Sequence, residues 1–261
     1  MEGNGVKLGL LTFNIAKDWD LPTLLDRARE ISFEGIEFRV DSNHRHGVEL
    51  DRTKEERKKI REMCRDAGIV ICGLGSGCMY DSPDPKVLKE NIERTKGLLE
   101  LTADVGAPGL KVFGNNLHEK EGIPKEQTIR QVAKAVRECG LYAKDLGVDL
   151  RFEMHGDFNY WEYAVKVVEE AGDGNVSLIY NSDPRDVING SVAETIGHVI
   201  KYVKHIHMHE LTDPKYPYTE MLRIFKMAGY TGYCVAEIQE SPDPIRVLRY
   251  YKALWDAYIQ S

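Results

Sequence analysis

The chain has 261 residues, of which 42% are hydrophobic and 30% charged, and its formal net charge is −7. This length fits one large α/β domain of about 250 residues, and the composition is that of an ordinary globular protein. The negative charge counts against a nucleic-acid-binding protein, because phosphate contacts dominate the affinity of such proteins.

The cysteines and the apolar segments bear on the compartment in which the protein works. The five cysteines, an odd number without C-x-x-C spacing, are Cys64, Cys72, Cys78, Cys139 and Cys234. This pattern indicates free thiols in a reducing compartment rather than a disulfide framework or a zinc ribbon. The first residues lack a basic segment followed by an apolar one, and no apolar run approaches the roughly 18 residues of a membrane helix. We therefore expect a cytoplasmic protein without a signal peptide or a membrane span.

One sequence pattern recurs along the whole chain. An amphipathic stretch ends near a glycine, a short apolar run follows, and polar residues come next, as in AREISFEGIEFR and AKDLGVDLRFEMHG. Together with the opening VKLGLLTFN, the pattern predicts eight strands that begin near residues 7, 35, 69, 109, 149, 176, 204 and 233. The spacings between them are those of strand–helix units.

The stretches between these strands predict helices. LPTLLDRAREI, QTIRQVAKAVRECGLYAKDLG and DPIRVLRYYKALWDAYI have apolar residues at helical spacing. In TKEERKKIREMCRDAG, Thr53 and Glu56 form a capping-box pattern, so a helix should begin directly after Thr53. Gly68 should end that helix in a left-handed conformation.

Strands that alternate with helices predict a parallel sheet. Eight repeats predict its closure into a (β/α)₈ barrel, as a single domain over residues 1–261. An open doubly wound sheet is the alternative, and it is disfavoured because no G-x-G-x-x-G loop follows the first strand. The segment GLGSG at residues 73–77 is too short for such a loop. In a barrel, the active site lies at the carboxyl ends of the strands.

Polar side chains collect at these predicted strand ends. Strand 5 ends with Glu153, strand 6 with Asn181 and strand 8 with Glu237, while His207 lies in strand 7. Two carboxylates, an imidazole and an amide oxygen are a ligand set that suits a divalent cation. Asp183, two residues after Asn181, is the alternative ligand from strand 6.

The strand-7 segment HIHMHE carries histidines at alternate positions. His205, His207 and His209 should point to one side of the strand, with His205 deepest and His209 nearest the mouth of the barrel. At the end of strand 2, Glu37 and Arg39 should lie in the opposite wall or form an ion pair at the rim.

These motifs, in this order, resemble the xylose isomerase-like barrel superfamily. Its members are sugar isomerases, epimerases and keto-inositol dehydratases that share a fold with endonuclease IV. The resemblance rests on the GIEFR ending of strand 2, the Glu-x-His of strand 5, the His-x-His-x-x-acid of strand 7 and the glutamate closing strand 8. It implies that Glu153, Asn181, His207 and Glu237 hold a divalent metal. We expect Mn²⁺, with Mg²⁺, Co²⁺ and Zn²⁺ as alternatives.

One position departs from the pattern of this superfamily. The strand-6 ligand is usually an aspartate, often with a histidine three residues later, whereas this chain has Asn181 and Pro184. Asparagine can still coordinate a cation through its carbonyl oxygen. The missing histidine indicates a substrate or a reaction that differs from those of the familiar ketose epimerases.

The resemblance implies a metal-dependent isomerase or epimerase of a ketose or keto-sugar. Glu153 and Glu237 would move a proton, and the metal would stabilise the resulting enediolate. A metal-dependent lyase or dehydratase of a keto-sugar, keto-glycoside or keto-inositol is the alternative, because it begins with the same proton abstraction. An endonuclease IV-like nuclease fits less well, because strands 3 and 4 do not end in the histidines that a three-zinc cluster needs. A non-catalytic binding subunit is the last alternative, and Asn181 is its best support.

Other polar residues near the predicted mouth are candidates for substrate binding: His155, His209, Asp183, Arg39, Lys111 and His46. We expect a small carbohydrate as the ligand, with no nucleic acid and no membrane, and we leave homo-oligomerisation open.

Overall fold

The computed structural model describes residues 5–172 and 174–260. Within these residues, eight parallel strands pair in chain order, and the first strand pairs with the last to close a barrel. A helix follows each strand and packs outside the sheet. The predicted (β/α)₈ barrel is therefore confirmed. None of the helices in the described ranges is long and apolar enough to cross a membrane.

The strands begin at or next to the predicted residues. In chain order, β1 to β8 are Lys7–Leu11, Gly35–Arg39, Val70–Met79, Gly109–Phe113, Asp149–Glu153, Val176–Asn181, Val203–Met208 and Tyr233–Ala236. Only β3 and β7 start one residue away from their predicted positions. The alternation of short apolar runs and glycine-ended amphipathic stretches was sufficient to locate every strand.

The helices occupy the amphipathic stretches. In chain order, α1 to α8 are Leu21–Ile31, Lys54–Asp66, Pro85–Val105, Lys125–Leu146, Trp161–Ala171, Ala193–Val199, Tyr218–Met227 and Pro244–Gln260. The predicted ends of α2 are confirmed. Thr53 Oγ1 accepts from the Glu56 backbone N–H (3.3 Å), and Glu56 Oε2 accepts from the Thr53 backbone N–H (2.7 Å), which completes the capping box. Gly68 follows α2 with a φ of +71°, a conformation that favours glycine.

The side chains of each strand alternate between the two faces of the closed sheet. On β7, Ile206 belongs to the hydrophobic core between sheet and helices, whereas His205 and His207 face the barrel interior. The register then brings the strand ends to one rim, because Asn181 pairs with His207 and His207 pairs with Val235. The interior of the barrel near this rim is therefore polar, and its buried groups need partners.

Candidate metal centre and active site

The four residues predicted as metal ligands meet at the rim of the barrel. Glu153 and Asn181 are the last residues of β5 and β6, His207 lies in β7, and Glu237 directly follows β8. His207 Nδ1 is 2.7 Å from Glu153 Oε1 and 3.3 Å from Glu237 Oε2. One donor atom from each of Glu153, His207 and Glu237 lies within 4.8 Å of the other two. This spacing suits a single bound cation.

The chemistry of these donors also fits a divalent metal. Within residues 5–172 and 174–260, Asn181 Oδ1 is buried and accepts no hydrogen bond, which is costly for a polar atom unless a cation or ligand satisfies it. Glu237 Oε2 is also buried, and His207 Nδ1, 3.3 Å away, is its nearby partner. Burial opposes protonation of His207, but the charges of Glu37 and Glu153 raise its pKa well above the ordinary value. The carboxylates thus favour positive charge at Nδ1 of His207, and a metal ion would supply it.

The structure favours Asn181 over Asp183 as the ligand from β6. The Asp183 side chain caps the short turn Pro184–Asp186 and forms an ion pair with Arg185, with 2.8 Å between Asp183 Oδ1 and Arg185 Nε. Its oxygens therefore already have partners. The Asn181 side-chain oxygen has no hydrogen-bond partner among the residues that the structure describes, and Asn181 lies beside His207 in the strand register.

Glu37 does not form the rim ion pair with Arg39 that the sequence suggested. Its side chain is buried inside the barrel, where Glu37 Oε2 accepts hydrogen bonds from His205 Nε2 (2.7 Å) and His207 Nε2 (3.0 Å). A carboxylate that accepts the Nε2 proton of His207 leaves the Nδ1 lone pair available to a metal. Glu37 therefore orients His207 toward Glu153 and Glu237.

His205 lies below His207 and is neutral. Burial lowers the pKa of His205 to about 4, although the nearby Glu37 charge raises it. Arg151, also buried inside the barrel, donates from Nη1 to the Cys72 carbonyl oxygen (2.9 Å) and adds positive charge near His205. His205 thus supports Glu37, as its predicted interior position implied.

Lys111 forms a buried ion pair with Glu153. Lys111 Nζ lies 2.6 Å from Glu153 Oε2, and the exposed fractions of the two side chains are 10% and 1%. Burial would raise the pKa of Glu153, but Lys111 and His207 hold it below its ordinary range. Glu153 is therefore ionised at neutral pH, with one oxygen directed to Lys111 and the other to His207.

A cavity of about 100 Å³ opens beside this cluster. Its polar wall is formed by Arg39, Lys111, His155 and Glu237. Its apolar wall includes Leu11, Phe13 and Phe113. Larger hollows of about 140, 360, 510 and 520 Å³ lie elsewhere on the described part of the chain, and none of the predicted ligands lines them.

Three of the predicted substrate-binding residues line the cavity, and three do not. Arg39, Lys111 and His155 belong to the cavity wall. His155 Nδ1 donates to Asn115 Oδ1 (2.9 Å), which leaves His155 Nε2 as an acceptor. Burial lowers the pKa of His155, so the ring is neutral near pH 7.

The residues His46, His209 and Asp183 lie outside the cavity wall. His46 is buried against Phe38 rather than exposed above the mouth, because its Nδ1 accepts from the Val48 backbone N–H (3.1 Å) and folds the loop inward. His209 Nδ1 donates to the Glu237 carbonyl oxygen (3.1 Å) and so positions the backbone beside a predicted ligand.

One residue of the mouth was missed at the sequence level. Asp186 is buried behind the loop after β6, where its oxygens accept from Asn159 Nδ2 (2.9 Å), the Asp183 backbone N–H (3.0 Å) and Tyr216 Oη (3.4 Å). It thereby joins the loops that follow β5, β6 and β7. Only the capping pattern of DPRD could have suggested a structural role for it.

We expect the stability of the chelated protein to fall with rising pH because of Asp186. Burial raises the pKa of Asp186 to about 7, whereas an unfolded aspartate titrates near roughly 3.9. Between these values the folded state holds a proton that the unfolded state releases, so stability decreases by about 1.4 kcal/mol per pH unit. Urea unfolding at pH 5 and pH 8 should show a decrease of roughly 2–3 kcal/mol in the wild type that Asp186→Asn lacks. Identical pH profiles would contradict this assignment.

Comparison with known proteins agrees with this architecture. Residues 25–254 match the family described as xylose isomerase-like TIM barrel. A D-psicose 3-epimerase from Enterocloster bolteae is 22% identical over 254 residues, which cover 89% of this chain and 82% of that protein.

Two solved structures share the fold over nearly the whole chain. The D-psicose 3-epimerase from Clostridium cellulolyticum H10, determined with D-tagatose, has a TM-score of 0.79 and 17% identity, and covers 97% of this chain and 99% of its own. The IOLI protein with a binding zinc atom has a TM-score of 0.77 and 17% identity, and covers 98% of each chain. Since the family match spans most of the sequence, the chain belongs to the xylose isomerase-like TIM barrel family.

Proposed function

We propose that this protein is a divalent-metal-dependent epimerase or isomerase of a ketose or keto-sugar. The observation that carries the proposal is the cluster of Glu153, His207 and Glu237 at the mouth, beside Asn181, whose buried side-chain oxygen accepts no hydrogen bond from the described residues. The similarity to sugar epimerases supports the reaction class. Mn²⁺ is the ion we expect, held by these four side chains.

The bound ion would supply electrophilic stabilisation of the negative charge that develops on the carbonyl oxygen when a neighbouring carbon loses its proton. The protein supplies the proton transfer. Glu237 is the best-placed base, because its side chain lines the cavity and Glu153 does not belong to the cavity wall as the described residues form it. Burial raises the pKa of Glu237, but His207 lowers it below the ordinary value, so the carboxylate is ionised and ready to accept a proton.

Glu153 approaches from β5 and is the second acid/base group in this proposal. Lys111 and His207 contact its two oxygens and fix the carboxylate in place. With carboxylates on β5 and β8, a proton removed by one group can be returned by the other, which inverts the carbon. Lys111 and His155 line the same cavity and can contact the substrate hydroxyls.

Proton exchange in heavy water tests the proposed reaction directly. The Mn²⁺-loaded protein is incubated in D₂O with free ketoses, 3-keto-glycosides, keto-sugar acids and keto-sugar phosphates, and NMR follows deuterium at the carbons next to the carbonyl. We expect deuterium at one such carbon together with the epimeric or isomeric product, and no exchange in chelated protein. A conjugated carbonyl absorbing in the ultraviolet would instead indicate the lyase reaction. Absence of exchange from every substrate, despite bound Mn²⁺, would contradict both.

A further inference from the structure

Arg39 is the cation of the cavity wall that lacks a carboxylate partner. Its Nε donates to Ser42 Oγ (3.1 Å) and its Nη1 to the Gly75 carbonyl oxygen (3.3 Å), both neutral acceptors. Within residues 5–172 and 174–260, its guanidinium makes no ion pair and its Nη2 makes no hydrogen bond. Lys111, the other cation of the wall, is by contrast already paired with Glu153.

The surroundings of the Arg39 guanidinium hold it in place without satisfying its charge. The Phe13 ring lies against it, with 5.5 Å between the guanidinium carbon and the ring centroid. Gly77 leaves the necessary room, because a Cβ atom there would lie 3.0 Å from Arg39 Nη2. A fixed guanidinium with free N–H groups is suited to carboxylate or phosphate oxygens.

Arg39 faces the cavity from a strand outside the arc that carries the proposed metal ligands. It is two residues beyond Glu37 on β2, so it shares the inward direction of Glu37 but lies nearer the mouth. In the closed order of strands, β2 is diametrically opposite β6, which ends with Asn181, and two strands away from β8, which precedes Glu237. A substrate whose carbonyl end lies at Glu153 and Glu237 therefore extends toward Arg39.

From this arrangement we infer that the substrate carries an anionic group, a carboxylate or a phosphate ester, which Arg39 binds at the far end of the cavity. This inference rests on the proposed function for the orientation of the substrate. It narrows the substrate class from neutral ketoses to keto-sugar acids or keto-sugar phosphates. The small volume of the cavity, about 100 Å³, places such a group only a few bonds from the reacting carbon.

Binding of unreactive analogues tests the anion site without requiring turnover. Calorimetry on the Mn²⁺-loaded protein compares ribitol, ribonate and ribitol 5-phosphate, which differ at one terminal group. We expect at least one anion to bind more tightly than ribitol. Arg39→Gln should reduce that preference roughly 10–100-fold, as expected for a charge-assisted hydrogen bond. Arg45→Gln, which removes the same charge from an exposed position on the loop after β2, should keep the preference.

The outcomes separate this inference from the proposed function. A preference for ribonate identifies a carboxylate, and a preference for ribitol 5-phosphate identifies a phosphate ester; loss of either preference in Arg39→Gln supports the site. Equal binding of all three analogues overturns the inference. A preference for an anion that persists in Arg39→Gln, or that disappears in Arg45→Gln as well, also overturns it. If neutral ketoses exchange deuterium while no anion preference exists, the proposed reaction stands and this inference fails. If the preference exists without any exchange, the reaction fails and the anion site stands.

Discussion

Replacement of His207 by alanine should weaken Mn²⁺ binding by more than roughly 100-fold. Loss of a residue that hydrogen-bonds to a metal ligand typically lowers the metal affinity about 10–100-fold, and loss of the ligand itself should lower it more. His207 also lies between the carboxylates of Glu37, Glu153 and Glu237, so its removal takes one partner away from each of these buried groups. Titration of chelated protein with Mn²⁺, followed by the EPR signal of the free ion, measures the dissociation constant.

Two neighbouring histidines provide matched controls for this measurement. His209→Ala removes an imidazole that donates to a backbone carbonyl oxygen, and we expect Mn²⁺ binding to persist. His205→Ala removes a hydrogen bond to Glu37 in the barrel interior, and we expect mainly a lower free energy of unfolding. Thermal melts confirm that each variant is folded. Equal loss of Mn²⁺ in all three variants would mean that His207 is not the ligand from β7.

The fold was predictable from the sequence because its signals are local. Each strand except β7 is a short run of mainly apolar residues at or just after a glycine, and the register of β7 follows from the alternation of His205, Ile206 and His207. The topology rule for parallel strands then places Glu153 and Glu237 at one rim, although they are far apart in the chain. Contacts that depend only on which residues end the strands could therefore be predicted from the sequence.

The contacts across the barrel were not predictable in the same way. Glu37 and His207 are 170 residues apart, and their hydrogen bond depends on how the closed sheet tilts opposite strands toward each other. The sequence left open whether Glu37 and Arg39 form part of the opposite wall or an ion pair at the rim, whereas in the structure Glu37 points into the barrel and Arg39 has no acidic partner among the described residues. His46 was misplaced for a related reason, since no periodic signal reports how a loop folds back onto the strand before it.

Glu37→Gln should weaken Mn²⁺ binding roughly 10–100-fold although Glu37 is not one of the proposed ligands. The carboxylate accepts the Nε2 proton of His207, increases the basicity of Nδ1 and selects the tautomer in which Nδ1 can bind a cation. Glutamine preserves the volume of the side chain but carries no charge, so Nδ1 becomes a poorer ligand. Mn²⁺ titration gives the affinity, and ¹⁵N NMR of the histidine rings in chelated protein reports the protonation of His207.

A control three residues earlier separates metal positioning from stability. Glu34→Gln makes the same substitution at an exposed position just before β2, where the side chain accepts from the Leu8 backbone N–H, and it should leave the Mn²⁺ affinity unchanged. Burying an amide costs less than burying a carboxylate, so Glu37→Gln can remain as stable as the wild type, or become more stable, while it binds Mn²⁺ less tightly. A purely structural role for Glu37 predicts the opposite result, a changed melting temperature with an unchanged dissociation constant. A metal affinity that falls independently of stability would therefore establish that the carboxylate of β2 acts on the metal site through His207.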